Sequence, residues 1–298
     1  MRRLVFPLLL AAALAGCARA PVPLPVPRAA PDALRVATWN IHFVDRTEPQ
    51  GRWSLAAWRE RRTAVDGAFK ALAADVVALQ EAELRDRLAG AGRESPAVAW
   101  LLARNPAFRV AVRGGGVRVP APQPIFYRHA RLRLESQGWL PFSGTTVPLD
   151  APGPNAAAPT FATWARLLDR RSGRRLLFVN VHLDHRAAAA RRVAARRLER
   201  FLAPHLAEGD AVVVAGDLNA RRASRTVRLL RGAGLVFPPV HGATFHFNMG
   251  LDLFGAIDHI AHGPGVEAAP PQVLRERFDG RWPSDHYPVV VDLHLRRR

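Results

Sequence analysis

The sequence predicts an α/β domain in layers, sheet packed on sheet with helices outside. Three observations carry this. Strand-like runs outnumber helix-like ones, the helical segments fall between strands, and the chain beyond residue 31 is long enough for one large domain with a sizeable core. It shows no internal repeat and no spanning segment after its first residues.

Alternation and β-branched content mark strands at Leu34–Asn40, Asp75–Gln80, Arg109–Arg113, Pro124–Arg128, Leu132–Trp139, Phe161–Leu168, Leu176–His182, Ala211–Gly216, Ala256–Ala261 and Tyr287–His294. Helical spacing appears at Leu55–Ala73, Pro96–Ala103, Arg186–Leu206 and Ala223–Arg231. In Arg186–Leu206 the apolar positions Val193, Leu198, Phe201 and Leu202 alternate with arginines, which predicts an amphipathic outer layer. A membrane-surface role is the second reading of that face. Loops at Gly114–Gly116 and Leu149–Pro159 are rich in glycine or proline.

The first residues stand apart. Arg2 and Arg3 precede the apolar run Leu4–Ala13, and Leu14-Ala15-Gly16-Cys17 closes it. This reads as a secretory signal, too short to span a membrane. Its ending resembles a bacterial lipoprotein signal, in which cleavage precedes the cysteine and the thiol is acylated. Cys17 is the chain's single cysteine, so no internal disulfide framework is expected. Residues 18–31 carry alternating prolines from Pro21 to Pro27, an extended tether, and the folded domain is expected over 32–298. The expected location is the cell envelope, with the membrane reached through lipidated Cys17.

The chain carries +18; residues 1–31 hold four arginines and no acid, which leaves +14. Lys70 is the sole lysine. Such a field attracts phosphate-rich ligands or an anionic membrane face, but the alanine and proline content also fits a genome-wide bias, so charge alone does not choose a substrate.

Five motifs share one design, an apolar strand followed by polar residues. They are Val36–His42 with Asn40, Val76–Glu81, Leu177–Asp184 with His182, Val212–Asn219 with Asp217, and Ala256–Ile260 with Asp258, followed by Ser284-Asp285-His286. Carboxylates clustered with amides and imidazoles suit hard cations such as Mg²⁺ or Mn²⁺. Glu81 offers a direct carboxylate ligand, with Asn40 supporting metal or phosphate. Asp217 and Asn219, two apart, project to one side of a strand end. Asp258 is the expected partner of His286 in proton transfer.

In this order the pieces W-N, L-Q-E, N-x-H-L-D-H, G-D-L-N, I-D-H-I and S-D-H-Y-P-V resemble the endonuclease/exonuclease/phosphatase superfamily. That group includes deoxyribonuclease I, abasic-site endonucleases, inositol polyphosphate 5-phosphatases and neutral sphingomyelinases. The resemblance covers nearly all of Leu34–Leu295. It implies a four-layer α/β sandwich of two packed, mainly antiparallel sheets flanked by helices. It also implies a metal-dependent phosphoester hydrolase using Mg²⁺ or Mn²⁺, with Glu81, Asn40 and Asp285 at the metal. His182, Asp217, Asn219, Asp258 and His286 match its catalytic positions, and Asn40, His182 and Asn219 would contact the phosphate. The general base is Asp217 or His286. One departure is His42, where abasic-site enzymes carry an aspartate. The N-x-H form is more similar to exported hydrolase and phospholipase-like branches. Nucleic acid and lipid head groups both remain as substrates, and no obligate protein partner is expected. The competing reading is a catalytically silent binding module that grips an anionic surface or nucleic acid with its basic face.

Overall fold

The computed structural model describes residues 26–45, 48–82, 84–85, 95–112, 123–142 and 161–296. Cys17, the signal segment, most of the tether and the loops at Gly114–Gly116 and Leu149–Pro159 lie outside these residues.

The elements follow in chain order as β1 (Leu34–Asn40), β2 (Val44–Asp45), α1 (Leu55–Ala71), β3 (Val76–Gln80), β4 (Leu84–Arg85), α2 (Pro96–Arg104), β5 (Phe108–Ala111), β6 (Ile125–Arg128), β7 (Leu132–Pro141), β8 (Phe161–Asp169), β9 (Arg175–His182), α3 (Ala188–Ala207), β10 (Ala211–Asp217), α4 (Arg225–Gly232), β11 (Asp258–His262), β12 (Val266–Ala268), β13 (Gln272–Val273) and β14 (Val289–Leu295). One sheet runs β12-β14-β1-β3-β6-β5, with β13 also on β14; the second runs β11-β10-β9-β8-β7. Among the described residues β1–β3, β9–β10 and the two-residue β2–β4 ladder are parallel, and the other pairs are antiparallel.

Three apolar clusters define four layers. Between the sheets, Val36, Ala78, Phe178, Val213 and Val291 are buried. The outer face of the first sheet packs Trp39 and Phe126 against Phe69 of α1 and Leu101 of α2. The outer face of the second packs Val179 and Val214 against Leu198 of α3 and Leu230 of α4. The central strands are apolar on both faces because both faces are covered. The helix starts are readable as caps: the hydroxyls of Ser54, Ser95 and Ser224 each accept the backbone N–H three residues on. At α3 the cap residue is Ala187, and Asp184 Oδ1 instead takes the N–H groups of Arg186 and Ala187 at 2.8 and 2.5 Å.

Two expectations need correction. Val193 is half exposed, and the buried stripe of α3 is Ala194, Ala195, Leu198 and Leu202. Small alanines let this helix lie close to its sheet, which turns Val193 outward. The fifth motif also reverses: Asp258 begins β11 rather than ending a strand. Because β11 is antiparallel to β10, Asp258 sits opposite Asp217. His286 likewise precedes β14, which is antiparallel to β1. The ends of the parallel pairs and the starts of their antiparallel partners thus meet at one edge of the sandwich.

A polar clasp lies between the sheets just inside that edge. Gln80 Nε2 donates to Asn180 Oδ1 at 2.7 Å, and Asn180 Nδ2 donates to the carbonyl of Leu79 at 2.8 Å. Thr38 completes it against Gln80. Satisfied polar groups in an apolar core fix the relative register of the two sheets.

Candidate active site

Asp217 is the centre of the site. It ends β10 with 1% of its surface exposed. Its Oδ1 accepts the backbone N–H of Asn219 at 2.8 Å. Its Oδ2 accepts Asn40 Nδ2 at 3.2 Å, with His182 Nε2 at 3.6 Å and His286 Nε2 at 3.8 Å. Four residues, three of them from other elements, thereby converge on one carboxylate.

The backbone is bent to permit this. Gly216 has φ +153°, and a Cβ there would stand 1.9 Å from the Val181 carbonyl oxygen, so only glycine fits. His42, Glu81 and Asn219 have φ of 62°, 55° and 47°, left-handed values uncommon outside glycine. Three side chains turn toward the site at such residues, and strain of this kind concentrates at functional sites.

Around Asp217 the predicted partners fall into place. His286 Nδ1 lies 2.9 Å from Asp258 Oδ2, both buried. Asn40 Nδ2 also donates to Glu81 Oε1 at 3.1 Å, and His182 Nε2 is 3.9 Å from that oxygen. Glu81 Oε2 accepts the Phe43 N–H at 3.2 Å. The Asn219 side-chain amide donates to the Leu183 carbonyl at 2.9 Å. Asp285 Oδ2 sits 3.0 Å from His42 Nδ1. Every predicted site residue except Cys17 is therefore described and lies in this one cluster.

The charges follow from burial and proximity. Burial raises Asp217, the charge of Asp258 raises it further, and His286 and His182 oppose; it is pushed up to about 6. Burial alone would lower His286, but the charge and hydrogen bond of Asp258, with Asp217, hold it up at about 10. For Glu81 burial works upward, yet the charge of His182 and the Asn40 hydrogen bond outweigh it and leave the carboxyl below its usual range. Burial also works against Asp285, but the His42 hydrogen bond and the His286 charge carry it far below the ordinary value. At neutral pH His286 is an imidazolium between carboxylates, while Asp217 is ionised and close to its own titration point.

The oxygen-rich donors suit a hard divalent cation. Carboxylate oxygens of Glu81 and Asp217 converge on one amide, that of Asn40, at 3.1 and 3.2 Å. A cation in that corner would take the place of the Asn40 N–H groups that bridge the two acids, and Asn40 would ligate it only by turning its oxygen away from the His42 N–H. Asp217, Asp258 and His286 also cluster closely, but the short His286–Asp258 contact already binds these groups to one another. His205, Glu208 and Asp210 gather at the far end of α3, where Arg166 already contacts His205 and Asp210.

Several supports are illegible in the sequence. Arg61 of α1 donates to the carbonyls of Ile41 and Pro283 at 2.7 and 2.9 Å and to that of His42. Trp39 Nε1 donates to the His286 carbonyl at 3.0 Å, and Ser284 Oγ to that of Asn40 at 2.7 Å. These bonds tie the first strand to the loop before the last one. Thr244 Oγ1 accepts the N–H groups of Ile257 and Asp258. Trp58 is core, Trp139 and Trp164 pack at core margins, and Trp53 stacks on Phe43 beside His42. Trp282 rests against His246 and Tyr287, so it supports the loop carrying His286.

A model of the endonuclease/exonuclease/phosphatase family matches residues 37–286, which spans every residue of this cluster from Asn40 to His286. The chain belongs to the endonuclease/exonuclease/phosphatase family. Membership places it among phosphoester hydrolases and nucleases, a family that uses divalent metal. Solved structures share the fold of this family member at low identity. An endonuclease/exonuclease/phosphatase family protein from Bacteroides thetaiotaomicron aligns with TM-score 0.72 and 20% identity, covering 88% of this chain and 97% of that one. A mannosyl-6-phosphatase of the same organism aligns at 0.73 and 21%, covering 88% and 100%. The human Nocturnin catalytic domain aligns at 0.62 and 17%, covering 90% and 97%. Comparison with curated proteins returns no match.

Proposed function

We propose that this family member is a phosphodiesterase dependent on Mg²⁺ or Mn²⁺, exported and held at the cell envelope through lipidated Cys17. The convergence of Asn40, His182, His286 and the Asn219 backbone on Asp217, with Glu81 joined through the Asn40 amide, carries the catalytic part of this reading. A filled constellation of acid, base and anion-holding groups speaks for an enzyme over a silent basic binding module.

In this reading Asp217 orients the attacking water and takes its proton. Asp258 and Asp217 favour the protonated form of His286, and Asp217, the carboxylate at the centre of the cluster, serves as base. His286 places its positive Nε2–H against the phosphate as charge develops, held in orientation by Asp258. Asn219 and His182 position the non-bridging oxygens. A divalent cation held by Glu81 and Asn40, with Asp285 alongside, would neutralise phosphate charge and stabilise the leaving oxygen.

The test is hydrolysis of bis(p-nitrophenyl) phosphate, plasmid DNA, RNA, sphingomyelin and phosphatidyl lipids by the full chain with Mg²⁺ or Mn²⁺. Chelator-sensitive turnover, lost in both Asn219→Ala and His286→Ala, is the expected result. Well-folded protein that turns over none of them with either metal refutes the enzyme and restores the binding module. The anchor rests on sequence alone. Cys17→Ser is expected to move the protein from the membrane fraction to the soluble one, and unchanged fractionation refutes it.

A further inference from the structure

Beside the reactive centre lies a cavity of about 560 Å³ that the catalytic account leaves unused. Asn219 and Phe245 form its inner wall, and the Phe245 ring lies 4.9 Å from that of His286. The cavity therefore opens directly onto the place where the scissile phosphate would sit. Its outer wall carries Arg191, Arg192, Arg221 and Arg225, and among the described residues no carboxylate lines it.

Several arginines elsewhere are paired with acids. Arg35, Arg104, Arg131, Arg166, Arg175 and Arg296 each meet an acid within 4 Å. Among the described residues none of the four cavity arginines does. Arg191 gives one N–H to the Asp184 carbonyl, but its Nε–H is buried without an acceptor. Arg221 lies 6.0 Å from the centre of the exposed Phe254 ring.

The placement of three of them also opposes the helices that carry them. Arg225 is the first residue of α4, and Arg191 and Arg192 follow the first turn of α3, neither of which has an acid in its first turn. Cations at the positive end of a helix are unfavourable. Here two such ends and four guanidinium groups face one space, an arrangement that raises the energy of the empty protein and that an anion relieves.

We propose that this cavity is a second-phosphate subsite, and that the substrate is a nucleotide-type phosphoester with at least two phosphates. This inference rests on the phosphodiesterase reading and names its substrate class. One phosphate lies at Asp217 and Asn219, its neighbour among the arginines, with the flat base against Phe245 or Phe254. A head group that ends in a quaternary ammonium is excluded by the same four cations.

The experiment is calorimetric binding to the full chain with chelator present, so that no turnover is needed. The probes are adenosine 3′,5′-bisphosphate, adenosine 5′-monophosphate and fructose 1,6-bisphosphate. The nucleoside bisphosphate is expected to bind at least tenfold more tightly than the monophosphate. That advantage is expected to vanish in the double variant Arg192→Gln/Arg225→Gln. Equal binding of the two nucleotides, or an advantage that survives in a folded double variant, overturns the subsite. Should the double variant not fold, the ratio in the unaltered protein decides. Fructose bisphosphate binding as tightly as the nucleoside bisphosphate overturns the nucleotide assignment. Turnover of bis(p-nitrophenyl) phosphate is the separate check on the catalytic reading: its loss together with tight bisphosphate binding refutes the hydrolase and leaves the anion site standing.

Discussion

The His286–Asp258 pair makes a quantitative claim about stability. His286 rises from 6.5 to about 10 on folding. Each pH unit of such a rise is worth about 1.4 kcal/mol, so the proton on His286 contributes about 5 kcal/mol. The folded pKa lies above the unfolded one. The contribution is therefore complete below about pH 6.5 and is lost progressively as pH climbs to about 10. Other displaced groups act outside that window: Asp217 between 3.8 and about 6, His246 between about 4 and 6.5, Arg61 and Tyr287 from about 10 upward. The perturbation is Asp258→Asn, which removes both the charge and the hydrogen bond that hold His286 up. Burial then dominates, His286 becomes neutral, and the slope between pH 6.5 and 10 flattens. Breaking a buried pair costs about 3–5 kcal/mol. The gap between the two proteins should therefore be widest near pH 6.5 and close toward pH 10. Urea denaturation at pH 6.5, 8 and 9.5, with chelator present, measures it. A flat profile in the unaltered protein across this range, or an equal slope in the variant, refutes the reasoning.

The remaining predictions concern single contacts. Glu81→Gln is expected to lower kcat/KM by roughly 10²-fold or more at fixed metal and to weaken metal binding, read by titrating Mn²⁺ against activity. Asp217→Asn should abolish the acid limb near pH 6 in the pH profile of kcat/KM, along with most activity; a residual rate with the limb intact would assign the base elsewhere. Gly216→Ala must displace the Val181 carbonyl and is expected to destabilise by about 3 kcal/mol or more, visible as a lowered melting temperature. Gln80→Leu leaves Asn180 Oδ1 unpaired between the sheets and should cost about 1–3 kcal/mol in urea denaturation.

Much of this molecule is legible in its sequence because strands with two buried faces announce themselves as apolar runs. β1, β9 and β10 lie within a residue of their expected bounds, and the polar residues that follow them are the site. The Asp-His reading already pairs Asp258 with His286, and the structure puts them 2.9 Å apart. What escaped was long-range or short. β12 and β13 are edge pieces of three and two residues, too brief for any period to show. Arg61 lies on a helix between Arg59, which is exposed, and Arg62, which stacks on Trp100, and nothing local marks it as the residue gripping three carbonyls. His42 registered only as a departure, since its partner Asp285 is far along the chain and no local spacing links the two. Val193 was misplaced because alanines, weak in hydropathy, form the packing face of α3.

The bond between β1 and β14 has a consequence for the protein during its synthesis. Asn40 and His286 belong to opposite ends of the domain, and Trp39 and Ser284 fasten those ends together. A nascent chain still short of Val289–Leu295 lacks a central strand of one sheet, and with it the strand that follows and anchors the loop carrying His286. The cluster around Asp217 is therefore assembled only once the last strand is in place, a property of the whole domain and of no N-terminal part of it.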